Sequence, residues 1–382
     1  MTDPTLKIQM QSVPDNPWIG LDIGGANLKA AHSSGWSNSC IFPMWKQWQT
    51  LAVSVAKLLD ECPAFSGVAV TMTGELADCF ATRAEGVAVI LEQLTSVLPA
   101  SLVRVYSVEG KWLSVSQAAR DPWKVAASNW HGLARYVTRI VGKKSCLLID
   151  VGSTTTDIIP IHDEQILIED QTDSQRLQSG ALVYTGVERS NIAGIVRELT
   201  LFNTVCPVIN EQFATTRDVY LWLREIEDDP TNCETADNQP ATRKAARYRL
   251  ARLVGEDGST LTDSDIDVIA TQVFHAQTSM VAKGVERVLK MAAASHAKRN
   301  KKTAARSKEL TIQRSLSSTC VVLSGHGDFL IEAAMGSLGW AGEWFRLKSS
   351  IGETLSRCAP AYAIAVLASE ELHQHAFEGE KP

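Results

Sequence analysis

The chain has no CxxC pair and no HExxH run, and its eight cysteines and eight histidines are scattered singly. Zinc or disulfide frameworks require clustered ligands, so the thiols read as reduced and mostly buried, and histidine-based metal chemistry has no support. Basic excess is also missing, with 37 Lys and Arg against 43 Asp and Glu for a net charge of −6. Nucleic acids and anionic membrane surfaces reward a basic face, so neither is expected as the main partner. Long apolar runs are absent too, because each is broken early by glycine or a polar residue. A membrane helix needs about 20 apolar residues, and the start MTDPTLKIQMQSVPDNPW lacks the basic-then-apolar pattern of a secretory signal. A soluble cytoplasmic protein is expected.

What is present is α/β patterning. Trp18 to Ile23 reads as a short buried strand that turns at Gly24-Gly25, and Leu28 to His32 resumes as its hairpin partner. An amphipathic helix over Gln49 to Cys62, a strand at Val68 to Met72, a helix at Gly86 to Leu98 and a strand at Leu102 to Val108 follow. After a helical stretch at Ser116 to Val141 the pattern restarts, with Cys146 to Val151 turning at Gly152-Ser153 into Thr155 to Ile161. LDIGGANLK at 21–29 aligns with IDVGSTTTD at 149–157, a weak internal repeat placed where a duplicated domain would put it. The expected division is a first domain at 17–115, a helical connector at 116–143, a second domain at 144–209 and 311–376, and a helical insertion at 210–310. Within the insertion, Asp218 to Glu227 and Asp263 to Ala294 read as helices and Asp228 to Arg243 as an exposed loop. The basic run Lys298 to Lys308 reads as a solvated loop.

The chemistry concentrates in the two turns. An aspartate ending a buried strand before glycine puts main-chain N–H groups where an anion can reach them, since glycine removes the steric barrier. In the first turn, Asp22 is a candidate Mg²⁺ ligand, Gly24, Gly25 and Asn27 are candidate phosphate contacts, and Lys29 adds a point charge across the hairpin. Taken alone, an ordinary hairpin with a surface aspartate explains this turn equally well. In the second, Asp150 and Asp157 are candidate metal ligands, and Gly152, Ser153, Thr154 and Thr155 candidate phosphate contacts. So much polarity after a buried strand serves little structural purpose unless something polar binds there. A later strand, Cys320 to Ser324, ends in Gly325-His326-Gly327, three further candidates. Glu75 and Asp78, three apart after a buried strand, can share a helix face and serve as general base, or equally cap the next helix. Asn129-Trp130-His131 and Glu109-Gly110-Lys111 are weaker candidates for substrate contact.

The series DxGGxxxK at 22–29, DxGxxTxD at 150–157 and the glycine turn at 325–327 resembles the ASKHA superfamily of sugar kinases, Hsp70 and actin-like ATPases. The resemblance implies duplicated ribonuclease-H-like domains with a central cleft. The histidine between the late glycines departs from the usual glycine pair and puts adenosine binding in doubt, so ATP is not favoured as a cofactor. GLDIGGANLKAA, TMTGELADCF with Arg83 and Glu85-Gly86 behind it, SNWHGLA and DVGSTTTDIIPI together resemble a narrower group, the hydantoinase/oxoprolinase-related family linked to tetrahydromethanopterin-dependent one-carbon transfer. That family includes the methanofuran-biosynthesis synthase. The resemblance implies a Mg²⁺-dependent transferase that joins an aminomethylfuran-methyl diphosphate to the phenol of a glutamyl-tyramine or tyrosine-type acceptor and releases diphosphate. An ATP-dependent small-molecule kinase or hydantoinase-like hydrolase is the alternative, and a nucleotide-sensing scaffold a third.

Overall fold

The computed structural model describes residues 16–299 and 319–372; most of the basic run at 298–308 lies outside them. By contacts, the described residues divide into two units, one formed from 16–146, 161–173 and 345–372, the other from 147–160, 174–299 and 319–344.

The first unit is built on a six-stranded sheet of order β3-β2-β1-β4-β5-β6. Its strands are β1 Trp18–Ile23, β2 Asn27–His32, β3 Ser37–Ile41, β4 Gly67–Met72, β5 Val103–Tyr106 and β6 Trp112–Leu113. The β1–β2–β3 meander is antiparallel, whereas β4 and β5 run parallel to β1. All six residues of β1 are buried, because both faces of the sheet are covered. On one face Ile19, Leu21 and Ile23 pack with Val68, Val70 and Met72 against helices Leu51–Leu58 and Arg83–Thr95. On the other, Trp18 and Ala69 meet Ile364, Leu367 and Ala368 of helix Ala359–Glu371. That helix lies so close that a Cβ at Gly20 would stand 1.9 Å from the Ala361 carbonyl oxygen, so only glycine fits there. Truncating Trp18 to alanine would cost about 3–5 kcal/mol.

The second sheet has the order β10-β8-β7-β13-β14, with β9 also on β8. These strands are β7 Cys146–Val151, β8 Thr156–His162, β9 Gln165–Ile166, β10 Leu182–Val183, β13 Cys320–Gly325 and β14 Trp344–Arg346. A separate ribbon pairs β11 Glu198–Leu201 with β12 Thr204–Pro207. The succession β8-β7-β13 repeats β2-β1-β4, a hairpin whose first strand is flanked by a strand from later in the chain. The fold is thus a duplicated ribonuclease-H-like α/β architecture with a helical insertion in the second half.

The helical pieces depart from expectation in instructive ways. Helix Asn129–Val141, expected in a separate connector, packs on Ala359–Glu371 inside the first unit. Ala359–Glu371 itself, expected in the second domain, returns to the first because Gly20 and Ala69 leave room for its backbone. In the insertion, helix Thr216–Leu223 stops before Glu227 because Arg224 turns left-handed (φ 64°). A helix at Arg243–Arg252 begins within what reads as loop, held by buried Arg249, which pairs with Asp218 (2.7 Å) and Asp237 (3.0 Å). Helix Asp263–Arg299 runs 37 residues. Among the described residues no helix is long and apolar enough to cross a membrane.

Candidate functional site

In the first unit, Asp22 sits one residue before the end of β1, in register with Lys29 on β2 and Thr71 on β4. Cross-strand partners point to the same face, so the buried carboxylate, the half-buried ammonium and the Thr71 hydroxyl belong to one side of the sheet edge. The turn is tight: Gly24 N–H donates to Asn27 O (3.1 Å), and a Cβ at Gly24 would lie 2.7 Å from that same oxygen. A Cβ at Gly25 meets nothing within 4 Å, so this glycine faces open space. Met44 and Phe42 N–H groups take the Gly25 and Ala26 carbonyls at 2.9 and 2.8 Å, which fixes the loop from behind.

Glu75 is placed against this turn. Thr73 N–H donates to Ile23 O (3.0 Å), and the chain then enters a single 3₁₀ turn, Gly74–Leu76. A Cβ on Gly74 would be 2.9 Å from Gly24 O, and one on Gly86 would be 2.1 Å from Glu75 O. Two glycines therefore let Glu75 be wedged between the first turn and the following helix, at 1% exposure. Its Oε2 has no hydrogen-bond partner among the described residues, and its Oε1 lies 3.7 Å from Arg83 Nε. Arg83 is itself bound to Asp173 (3.0 Å) and stacked over Trp123. Burial pushes the Glu75 carboxyl up to about 7, opposed by a hydrogen bond from its own amide and by the Arg83 charge.

Asp78 separates from Glu75. The 3₁₀ turn ends at Leu76 and leaves Asp78 exposed on the next turn, so the two acids do not share a helix face. Nor does either cap the following helix. Thr82 accepts from Glu85 N–H (3.1 Å), and Glu85 returns a carboxylate to Ala81 N–H (2.8 Å).

In the second unit, the corresponding turn is closed by Gly152 N–H to Thr155 O (2.9 Å). The turn after β13 packs directly on it. His326 N–H donates to Val151 O (3.1 Å), and Gly325, at φ +83°, would place a Cβ 2.1 Å from that oxygen and 3.1 Å from Asp150 Oδ1. Gly152 to Thr155, half-buried Asp150 and Gly325 to Gly327 are thereby gathered at one end of the sheet. Asp157 is not among them. It lies on β8 in register with Leu182, buried, and its carboxylate is paired with the guanidinium of buried Arg176. An aspartate already compensated in this way is a poor metal ligand, which removes Asp157 from the metal set.

A segment that motif reading missed completes this end. Val187 N–H donates to Gly152 O, and both Glu188 and Arg189 N–H groups to Ser153 O, each at 3.0 Å. Gly186 fits only as glycine, since a Cβ would be 2.5 Å from Gly152 O. Glu188 lies between His326 Nε2 (3.3 Å) and the Arg217 guanidinium. Burial raises its carboxyl, but the bonds from His326 and Arg217 prevail and hold it down to about 2. A glycine inside a polar run that is not a strand end was the one available signal.

The weaker candidates converge as well. Glu109, Gly110 and His131, with Arg135 and Thr138, line an open cavity of about 420 Å³ in the first unit. Tyr106 OH meets His131 Nδ1 at 2.9 Å, and burial lowers this imidazole to about 4, so it is neutral near pH 7.

Among the described residues, no group of three or more His, Cys, Asp or Glu side chains is arranged to hold a metal. Magnesium does not require one. It keeps several waters, takes one or two carboxylates and completes its shell with substrate phosphates. The carboxylates of Asp22 and Asp150 are oxygen donors of the kind this hard cation selects.

A curated relative from Methanocaldococcus jannaschii, named (4-{4-[2-(gamma-L-glutamylamino)ethyl]phenoxymethyl}furan-2-yl)methanamine synthase, is 29% identical over 357 residues, 93% of this chain and 98% of its own. A relative of the same name from Methanococcus vannielii is 25% identical over 242 residues, 63% of this chain and 97% of its own. Among solved structures, nucleotide-free acetone carboxylase superposes with a TM-score of 0.49 at 10% identity, covering 91% of this chain and 70% of that one. A family model described as hydantoinase/oxoprolinase matches residues 66–369, most of the chain. The chain belongs to the hydantoinase/oxoprolinase family.

Proposed function

We propose that this chain is an enzyme of methanofuran biosynthesis, a Mg²⁺-dependent transferase that joins an aminomethylfuran-methyl diphosphate to a phenol and releases diphosphate. The name shared by the two relatives describes a product in which a phenol oxygen is linked to a furan methylene. Building that ether from a phenol requires a leaving group on the methylene carbon and a base for the phenol proton. The observation that carries the reading is Glu75, a buried carboxyl at about 7 set against the Gly24-Gly25 turn. A base poised near neutral pH is what proton removal from a phenol needs.

In the proposed reaction the methylene C–O bond to diphosphate breaks and its electron pair departs with the diphosphate. Positive charge on the methylene is delocalised into the furan until the phenol oxygen closes the new C–O bond. The phenol proton passes to Glu75. Asp22 in the first unit and Asp150 in the second are each carboxylates that would hold Mg²⁺, which would supply neutralisation of the leaving group's charge. Lys29 adds a cation to the first turn, and the Ser153 to Thr155 amides and hydroxyls donate to the departing oxygens. No nucleophilic side chain is used. The acceptor is a glutamyl-tyramine or tyrosine-type phenol.

The test is turnover of the furan-methyl diphosphate with Mg²⁺ and each candidate phenol, following diphosphate release and ether mass together. Equal amounts of both, with release requiring the phenol and Mg²⁺, are expected. ATP consumption in place of diphosphate release would overturn the reading.

A further inference from the structure

We infer that Asp173 is a positioning residue for Glu75: by binding Arg83 it keeps that guanidinium from closing on the buried carboxyl, which is left able to take up a proton. The inference rests on the proposed function only in giving that proton transfer a use in the reaction.

Glu75, Arg83 and Asp173 all belong to the first unit. Arg83 is the first residue of helix Arg83–Thr95, where unpaired N–H groups disfavour a cation, so the helix gives no reason for an arginine there. Its guanidinium is shared unequally. Nη2 donates to Asp173 Oδ2 at 3.0 Å, while Nε stands 3.7 Å from Glu75 Oε1, beyond hydrogen-bond reach. The Trp123 ring, its centre 5.5 Å from the guanidinium carbon, adds a further hold on the cation.

Two carboxylates thus compete for one cation, and they differ in access to water. The Asp173 side chain is 24% exposed and that of Glu75 1%. Ionising the wetter acid costs less, so Asp173 takes the arginine, and an ionised Glu75 would be a second anion on a cation already matched. The other charges nearby are engaged elsewhere. Glu85, on the same helix as Arg83, accepts from Ala81 N–H at 2.8 Å, and Lys124 is paired with Asp121 at 2.9 Å. Asp22 and Lys29 face each other across the first hairpin. Burial, helped by the Asp173 charge, prevails over the Glu75 and Ala127 amides and the Arg83 charge, and the carboxyl stands at about 7. Asp173 also opens helix Asp173–Ser179, where an acid is favoured for the helix alone. That role would act on stability and leave Glu75 untouched.

Carbon-13 NMR of the full chain, labelled at the glutamate carboxyl, follows Glu75 directly, with Glu75→Gln identifying its signal. The wild-type midpoint should lie near 7. Asp173→Ala should lower it by at least about one pH unit, the usual effect of a cation brought within bonding distance. In an Arg83→Met background the same replacement should move it less than half as far. A shift of half or more there would mean that Asp173 acts by its own charge alone. An unmoved midpoint in Asp173→Ala, which needs no second variant, would mean that nothing is withheld. Either result sinks the inference. The acid limb of kcat/KM should travel with the NMR midpoint. If the midpoint moves and the limb stays, the positioning stands and Glu75 is not the base of the reaction. If Glu75→Gln abolishes the limb yet the midpoint ignores Asp173, the base survives and the positioning falls.

Discussion

The two aspartate-led turns begin from nearly the same residues and are finished in opposite ways. Beside the first, Glu75 is buried with one oxygen lacking a hydrogen bond and with Arg83 no closer than 3.7 Å. Beside the second, each neighbouring acid is neutralised, Asp157 by Arg176 and Glu188 by Arg217. Desolvation acts on all these acids, and the outcome depends on whether a cation is within bonding distance. An under-compensated carboxyl rises toward neutrality and can exchange a proton near pH 7, whereas a compensated one stays ionised and serves as scaffold. The first turn thus has beside it a carboxyl that can exchange a proton, and the second has carboxylates held ionised by cations.

The largest effect that tests this contrast is Glu75→Gln, which should lower kcat about 10²- to 10⁴-fold, the usual contribution of a general base. In wild type, kcat/KM should rise with pH through about 7, and that limb should vanish in the variant. Stability gives an independent reading. The folded protein holds the Glu75 proton more tightly than the unfolded chain does. This stabilisation is complete below about pH 4.5 and is lost as pH rises through about 7. At pH 8 Glu75→Gln should therefore be more stable than wild type, by something of the order of 3 kcal/mol. A variant that keeps its rate, or melts lower at pH 8, would contradict the role given to Glu75.

Asp22→Asn and Asp150→Asn should each cut turnover at least about a hundredfold with the melting temperature nearly kept, the loss expected when charge stabilisation of a leaving group is removed. Near-normal rates in both would take Mg²⁺ out of the mechanism. Arg176→Met should act on stability, by about 3–5 kcal/mol at pH 7 from stranding buried Asp157, and the loss should shrink in acid as that carboxyl protonates. Urea melts at two pH values decide it; a pH-independent loss would mean the pair matters only by packing. The smallest effect belongs to Asp78→Asn, exposed on its turn, for which a rate within about twofold of wild type is expected. A large loss there would return Asp78 to the site and blur the contrast.

Much of this was legible without coordinates. Apolar runs ending in Asp-x-Gly located β1 and β7, and the alignment of 21–29 with 149–157 announced the duplication. The roles of single acids were not legible. Glu75 and Asp78 look equivalent along the chain, yet a 3₁₀ turn that stops at Leu76 buries one and exposes the other. Asp157 looks like a ligand until Arg176, 19 residues on, is seen to reach it. Glu188 carries no motif, because its importance comes from Ser153, 35 positions back, and His326, far ahead, meeting it through main-chain and side-chain contacts.

The sequence by itself determined where strands end and glycines let the chain turn, since hydrophobic burial and backbone sterics act over a few neighbouring residues. Only the tertiary structure decided which carboxylates keep their charge and which keep their proton. That depends on distances to cations and on depth from water, and residues remote along the chain set both.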